Sequence, residues 1–189
     1  MSLAISKTQM LAGFAAVTLA TVATLWAAAD SPPAKGDVAK DFTLQTLDGT
    51  DVQLSKLNAK GPVVVVVLRG YPGYQCPACN AQTGEFIGAA KKFAAAKANV
   101  VLVYPGEGKG LEKFAKDFVT GKTFPDNVML VTDPDYKFTV AYNLRWDAQN
   151  ETAYPSTFVV DAEGKIIYSK ISETHGGRAP VAEVLKALE

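Results

Sequence analysis

The chain has 189 residues, of which 48% are hydrophobic and 20% are charged, so it is long enough for one globular domain with a sizeable core. Lysine plus arginine and aspartate plus glutamate number 19 each, which gives a formal net charge of zero at pH 7. This balance excludes the basic field of a nucleic-acid-binding protein and the acidic tail of many interaction segments.

The first 29 residues differ from the rest of the chain. Lys7 is their only charged residue, and residues 10–29 are mostly alanine, leucine, valine and threonine. Small residues at positions 27–29 stand where a signal peptidase would cut, which predicts a secretory signal over residues 1–29. The alternative is an uncleaved anchor, because about 20 residues suffice to span a bilayer; only residues 10–29 would then touch the membrane. Both interpretations place the folded part outside the cytoplasm, either in the periplasm or secreted.

Residues 30–40 contain proline, alanine and lysine and are predicted to form a linker. A single folded domain is then expected over residues 41–189. Its first element is predicted to be a β-hairpin over residues 41–54, because apolar and polar residues partly alternate on either side of the turn dipeptide Asp48-Gly49.

The most informative part of the sequence comes next. Residues 63–68 are apolar at every position, which predicts a strand buried on both faces of a sheet. A short turn leads to Cys76-Pro77-Ala78-Cys79, which holds both cysteines of the chain, and Phe86 and Phe93 follow at helical spacing. A strand, a turn and a Cys-x-x-Cys that opens a helix are typical of a thiol–disulfide redox site.

The spacing of the two cysteines predicts different roles for them. Three residues apart, both thiols lie near one face of the first helical turn, where an intramolecular disulfide can form. Cys76 is expected at the positive end of the helix dipole, among unpaired N–H groups that favour the reactive thiolate. Pro77 suits the first helical turn and Cys79 falls inside it. Cys76 is therefore predicted to be the more exposed thiol and the nucleophile, with Cys79 as the resolving thiol.

Other interpretations of the cysteine pair remain open. A structural zinc site needs four ligands, whereas the chain has no third cysteine and only one histidine, His175. A second alternative is that the two cysteines are chemically inert, because free cysteine often behaves as a small core residue. The alternative function is a non-enzymatic carrier of copper or another metal, which would use Cys76, Cys79 and His175. An exposed loop position is the competing interpretation of His175, and no cofactor is expected for the redox function.

The second half of the chain continues the alternation of strands and helices. Asp133 is predicted to cap a short helix that has Pro134 at its first position. The remaining predicted elements are strands at 100–104, 128–131, 157–160 and 165–169 and helices at 111–118 and 180–188. Because the strands alternate with helices and end in an antiparallel pair, we expect one mixed sheet with helices on both faces.

Three stretches of the sequence, in this order, resemble the thioredoxin-like redoxins. They are residues 41–49, the strand with the cysteine pair, and residues 154–165. The resemblance covers residues 36–189 and extends to peroxiredoxins of the alkyl hydroperoxide reductase and thiol-specific antioxidant family and to membrane-attached thiol–disulfide oxidoreductases. It implies an α/β thioredoxin-like sandwich with a mixed central sheet and an N-terminal β-hairpin extension. It also implies an antioxidant oxidoreductase that acts on protein thiols, disulfides or peroxides and is served by a reducing partner protein.

The resemblance leaves two registers of the cysteine pair open. Peroxiredoxins carry Pro-x-x-x-Thr-x-x-Cys, in which the last cysteine attacks peroxide; Pro72, Cys76 and Cys79 fall on that spacing, with Cys76 in place of the threonine. The chain has Pro155 where the peroxiredoxin arginine would stand. That proline resembles the cis-proline beside the disulfide of thioredoxin-type proteins, so the resemblance predicts a cis Tyr154–Pro155 bond and favours Cys76 as the nucleophile.

A cation near the thiols is expected in either register. Arg69, at the end of the buried strand, is a candidate to lower a thiol pKa or to bind the peroxide oxygens. The alternative for Arg69 is a strand-end side chain that reaches solvent. Arg145 is a second candidate, for which a surface position is the competing interpretation.

Overall fold

A computed structural model of the protein describes residues 31–189, so the predicted secretory signal or anchor at 1–29 lies outside the described residues. In residues 31–189, no helix combines the length and the apolar character needed to cross a membrane. Part of the segment predicted to be a linker is attached to the domain, because Val38 forms an antiparallel bridge with Lys165.

Seven strands and six helices make up the fold of residues 31–189. The strands are β1 Thr43–Thr46, β2 Asp51–Gln53, β3 Val63–Val67, β4 Asn99–Gly106, β5 Val128–Pro134, β6 Ser156–Val160 and β7 Ile166–Ile171. The helices are α1 Leu54–Asn58, α2 Pro77–Gly88, α3 Ala90–Ala95, α4 Leu111–Val119, α5 Lys137–Ala141 and α6 Val181–Lys186.

All seven strands belong to one mixed sheet, as predicted. Their order across the sheet is β2-β1-β5-β4-β3-β6-β7. Strands β3, β4 and β5 are parallel, whereas β6 pairs antiparallel with β3, and β7 pairs antiparallel with β6. The predicted N-terminal hairpin, β1–β2, extends one edge by antiparallel pairing of β1 with β5.

Strand β3 is buried on both faces, which confirms the prediction from its uninterrupted apolar run. Val64 and Val66 face a core that includes residues of α2, α3, α4 and α6, whereas Val63, Val65 and Val67 face a second core with residues of α1 and α5. Each fully buried valine contributes about 1.5–3 kcal/mol through the hydrophobic effect. The strand that leads to the cysteines is therefore a rigid part of the domain.

Helix α5 begins later than the sequence predicts. Pro134 ends β5, and the next two residues, Asp135 and Tyr136, have φ of 57° and 60° and turn the chain before the helix starts. The prediction of Pro134 at the first helical position is therefore wrong. Asp133 still binds the first turn, because its buried carboxylate accepts the N–H groups of Phe138 and Thr139 at 2.8 and 2.9 Å.

Candidate active site

A sharp turn between β3 and α2 places the cysteine pair. Gly70 has φ of 70°, and a Cβ at this position would collide with the carbonyl oxygen of Pro105, so the close approach of the two main chains requires glycine. Cys76 is the N-cap residue of α2, and its Sγ accepts the main-chain N–H of Cys79 at 3.4 Å. The predicted strand, turn and Cys-x-x-Cys at a helix start are confirmed.

Both thiols are buried at the start of α2. The structure holds Cys76 and Cys79 as free cysteines, 2% and 0% exposed. Cys76 is the less buried thiol, as predicted, but the difference is small and neither sulfur atom is open to solvent. The reason is that both side chains belong to the hydrophobic core beneath α2 and that the Arg178 side chain lies against both sulfur atoms. A reactant must be small or must displace part of this cover.

The cation beside the thiols is Arg178, which was not predicted from the sequence. Its Nη2 lies 3.4 Å from Cys79 Sγ and 3.9 Å from Cys76 Sγ. Its Nη1 donates to Gln82 Oε1 at 2.6 Å, and its Nε donates to the carbonyl oxygen of His175 at 3.1 Å. Arg178 lies about a hundred residues along the chain from the pair, and no local pattern marks it.

The environment separates the acidities of the two thiols. The pKa of Cys76 is lowered to about 5, mainly by the hydrogen bond from the Cys79 thiol, with further lowering by the Cys79 N–H and the Arg178 charge; burial acts in the opposite direction. The hydrogen bond to Cys76 and burial raise the pKa of Cys79. Cys79 accepts the shorter Arg178 contact and the Arg69 main-chain N–H at 3.3 Å, but its deeper burial favours the neutral thiol.

Arg69 is buried and directed away from the thiols. Its guanidinium donates to Glu151 Oε2, to the Tyr74 hydroxyl and to the Asn150 carbonyl, each at 2.6 Å. The side chain is 2% exposed, so the interpretation of a solvated strand-end arginine is wrong. Arg69 acts on Cys76 only at a distance, and its charge lowers the pKa of Cys76 less than that of Arg178 does.

The predicted cis bond before Pro155 is wrong, because every peptide bond in residues 31–189 is trans. A trans bond is the ordinary state of X–Pro by about 0.5–1 kcal/mol. Tyr154 N–H donates to Leu144 O at 2.9 Å and Ser172 N–H donates to Pro155 O at 2.8 Å, so hydrogen bonds flank the bond on both sides. The argument that Pro155 supplied for a thioredoxin-type register is thereby lost.

The remaining candidates lie in neighbouring loops. Pro72 lines a cavity of about 430 Å³ that Tyr71 and Arg145 also line. Arg145 is half-buried, and its Nη1 donates to the main-chain carbonyls of Trp146, Glu151 and Thr152, so its contacts hold that loop together. The role of Pro72 stays a prediction from the peroxiredoxin spacing.

The structure does not assemble the alternative metal site. Within residues 31–189 no three His, Cys, Asp or Glu side chains are grouped so that they could hold a metal ion. His175 is half exposed, and its Nε2 lies 2.9 Å from Glu151 Oε1. Cys76, Cys79 and His175 therefore do not form the three-ligand set that a metal carrier would need.

We expect Arg178→Gln to raise the pKa of Cys76 by about one unit, because an opposite charge within a few ångströms commonly lowers an acid's pKa by 1–3 units. The measurement is the pH dependence of thiolate absorbance in the ultraviolet. Arg178→Lys keeps the charge and should retain part of the effect. Lys186→Gln, which removes one exposed positive charge from α6, is the matched control and should leave the midpoint unchanged.

The model of the AhpC/TSA family matches residues 35–169. A protein of Mycobacterium tuberculosis (strain H37Rv), provisionally named a peroxiredoxin, is 33% identical over 140 residues, covering 71% of this chain and 83% of that protein. The thiol-disulfide oxidoreductase ResA of Bacillus subtilis (strain 168) is 28% identical over 134 residues, covering 70% of this chain and 65% of ResA.

A solved structure extends the similarity to the fold. The crystal structure of peroxidoxin BcpB from Mycobacterium tuberculosis matches with a TM-score of 0.64 and 26% identity, covering 82% of this chain and 95% of that chain. Together with the mixed seven-stranded sheet, this match confirms the predicted thioredoxin-like α/β architecture. The similarity reaches both a peroxidoxin and a thiol–disulfide oxidoreductase, so it does not choose between the two registers of the cysteine pair.

Proposed function

Because the chain belongs to the AhpC/TSA family and is a thioredoxin-like oxidoreductase, we propose that it reduces peroxides with the Cys76–Cys79 pair. Cys76 is the attacking thiolate, and Cys79 is the resolving thiol. The observation that carries this proposal is the guanidinium of Arg178, which lies within 4 Å of both sulfur atoms at a helix start. The positive charge of Arg178 and the N-terminus of α2 together favour the thiolate form of Cys76.

The proposed reaction has two steps. The Cys76 thiolate attacks one oxygen of the peroxide, the O–O bond breaks, and Cys76 becomes a sulfenic acid while the other oxygen leaves as an alkoxide or hydroxide that takes up a proton. The Cys79 thiol then condenses with the sulfenic acid, which forms the Cys76–Cys79 disulfide and releases water. An external dithiol protein supplies the two electrons that restore the thiols.

Burial of the sulfur atoms favours a peroxide over a protein disulfide as the oxidising substrate. Disulfide exchange needs in-line approach of another protein's sulfur, whereas Cys76 is only 2% exposed. A peroxide group is small enough to enter with little displacement of the surrounding loops. Arg178 N–H groups are also suitable donors to the oxygen on which negative charge develops.

Protein thiol–disulfide exchange is the second candidate function. Two observations support it: the lowered pKa of Cys76 at the start of α2, and the similarity to a relative named as a thiol-disulfide oxidoreductase. In that mechanism the Cys76 thiolate attacks a substrate disulfide, and Cys79 displaces the mixed disulfide. A groove of about 350 Å³ between α2 and residues 175–180 is lined in part by Arg178, which contacts both thiols, and offers space for a partner protein.

We also propose that the domain works outside the cytoplasm. The support is the composition of residues 1–29, with one lysine, a weakly apolar run and small residues at 27–29. Disulfides persist in such compartments, so a dedicated reducing protein must keep the pair reduced. Fractionation of cells that express the full chain tests the location, and recovery of the domain in the cytoplasmic fraction would contradict it.

The function is tested by mixing the purified, reduced protein with hydrogen peroxide, with an alkyl hydroperoxide and, separately, with a protein disulfide. We expect the peroxide reactions to be faster by at least tenfold, because the buried sulfur is more accessible to the smaller reactant. A faster reaction with the protein disulfide would favour the second candidate. Oxidation by neither reactant would refute both.

We expect mild oxidation of the reduced protein to give a disulfide within one chain. The reason is that Cys76 Sγ already accepts the Cys79 main-chain N–H at 3.4 Å, so the two side chains share the first turn of α2. Alkylation followed by mass spectrometry should find both thiols protected in a single peptide. A product linked only between two chains would contradict the prediction.

A further inference from the structure

The carboxylate of Glu151 joins two segments that both reach the thiols. Its Oε2 accepts a hydrogen bond from Arg69 Nε at 2.6 Å, and its Oε1 lies 2.9 Å from His175 Nε2. The pKa of Glu151 is lowered overall: burial raises it, but the hydrogen bonds from Arg69 and His175 have the larger combined effect. An ionised carboxylate can only accept, so Nε2 of His175 carries the proton of this hydrogen bond.

The first segment is the end of β3 with the turn that follows it. Arg69 is fixed there by Glu151 and by the carbonyl of Asn150. The main-chain N–H of the same residue donates to Cys79 Sγ at 3.3 Å, and its carbonyl accepts a hydrogen bond from the Thr152 hydroxyl. Glu151 therefore anchors the residue whose amide group touches the buried thiol.

The second segment is the connection between β7 and α6, which we call the 172–180 loop. The carbonyl oxygen of His175 in this loop orients Arg178 through a 3.1 Å hydrogen bond to Nε. Arg178 in turn reaches the sulfur atoms with Nη2. Any shift of His175 away from Glu151 therefore moves the carbonyl group that aims the guanidinium.

The middle of the 172–180 loop, residues 173–178, has few other attachments to the body of the domain. Its internal hydrogen bonds run from Ser172 Oγ to the carbonyls of Thr174 and Gly176, and these shape the loop without fixing it to its neighbours. Gln82 on α2 holds the tip of Arg178 at 2.6 Å. Both ends of the loop are attached, because buried Ser172 donates its N–H to Pro155 O at 2.8 Å and Ala179 is buried. Between these ends, the half-exposed His175 makes a polar contact with the carboxylate of Glu151, and its ring lies 5.5 Å from that of Trp146.

We propose that Glu151 and His175 are positioning residues, which hold the loop that carries Arg178 over the two thiols. Breaking their contact lets the 172–180 loop open locally, because such loops have low local stability when their few anchors are lost. Opening has two consequences at the thiols. The cation moves away from the sulfur atoms, and the sulfur atoms become accessible. The proposal depends on the proposed function only in taking these thiols as the reacting groups.

The test is the rate of thiol alkylation by iodoacetamide as a function of pH in the reduced, full-length protein. The midpoint of this profile reports stabilisation of the thiolate, and the plateau at high pH reports access to the sulfur. His175→Ala should raise the midpoint by about half a unit to one unit, since it weakens the influence of a nearby cation. It should also raise the plateau several-fold. A merely structural role of His175 would not move both quantities.

Further variants keep the test independent of misfolding. His175→Gln retains a neutral donor for Glu151 and should restore most of the native profile. Glu151→Ala should shift the midpoint and the plateau at least as much as His175→Ala, because it removes the contact with His175 and also the contact with Arg69. Adding His175→Ala to Glu151→Ala should then change the profile little, since the contact between the two residues is already lost. Glu173→Gln removes an exposed charge from the same loop and is the matched control, which should behave as the native protein.

A native alkylation profile for His175→Ala overturns the proposal, as does a profile that His175→Gln fails to restore. Equal shifts in the Glu173→Gln control also overturn it, because they would reflect loop charge alone. The alkylation assay needs neither peroxide nor a protein disulfide. Failure of the proposed function is therefore recognised separately, as a normal alkylation response in a protein that no peroxide oxidises.

Discussion

Replacing Cys76 with serine is expected to lower the rate of peroxide reduction by about a thousandfold or more, since removal of a reaction's nucleophile has effects of this size. Serine keeps the shape of the side chain but has no accessible anion near neutral pH. Peroxide consumption in a single-turnover experiment measures the loss. Far-ultraviolet circular dichroism checks that the fold is retained.

Cys79→Ser separates the two thiols from each other. This variant should still consume one equivalent of peroxide and should accumulate a sulfenic acid at Cys76, because the condensing thiol is missing. With a disulfide substrate it should accumulate a mixed disulfide through Cys76. If Cys76→Ser instead retains a peroxide-reactive thiol and forms sulfenic acid at Cys79, the peroxiredoxin register applies and the two roles are exchanged.

Arg69→Leu is expected to reduce the free energy of unfolding by about 3 kcal/mol, because removing one partner of a buried ion pair leaves the other charge without compensation. Arg69 and Glu151 are 2% and 12% exposed, and the guanidinium makes two further hydrogen bonds that would be lost. Urea denaturation followed by circular dichroism measures the change.

Two further variants show whether the ion pair is the cause. Lys113→Ala breaks an exposed pair with Asp117 on α4, for which we expect less than about 0.5 kcal/mol. The double variant Arg69→Leu/Glu151→Leu should recover part of the loss, since neither charge then remains buried alone. A single Arg69→Leu change no larger than that of Lys113→Ala would show that the buried pair contributes little.

The sequence predicted the fold well because its patterns act over short distances. Five consecutive valines in β3 can be buried only between two layers, and the turn dipeptide Asp48-Gly49 fixes the N-terminal hairpin. The position of Cys76 at a helix start likewise follows from neighbouring residues, since proline suits the first turn. The late start of α5 was missed because two non-glycine residues with positive φ carry no clear sequence pattern.

The sequence predicted only those features of the candidate active site that neighbouring residues determine. The structure places the cysteine pair at a helix start after a buried strand, as predicted, and its redox role stays a proposal. Arg69 was identified as a candidate cation, but its side chain pairs with Glu151, which is 82 residues away in the chain. The contact of Arg178 with the thiols was not predicted, because the sequence Gly176-Gly177-Arg178 is that of an ordinary polar loop. Only the tertiary fold places Arg178 against α2.

The sequence by itself therefore determined the mixed sheet, the buried strand and a Cys-x-x-Cys at the start of a helix. Each of these depends on periodicity, turn residues or capping, which neighbouring residues encode. Only the tertiary structure decided how deeply the thiols are buried, which arginine reaches them, and that the bond before Pro155 is trans. These features depend on contacts between segments far apart in the chain, and loop packing around the helix start selects them.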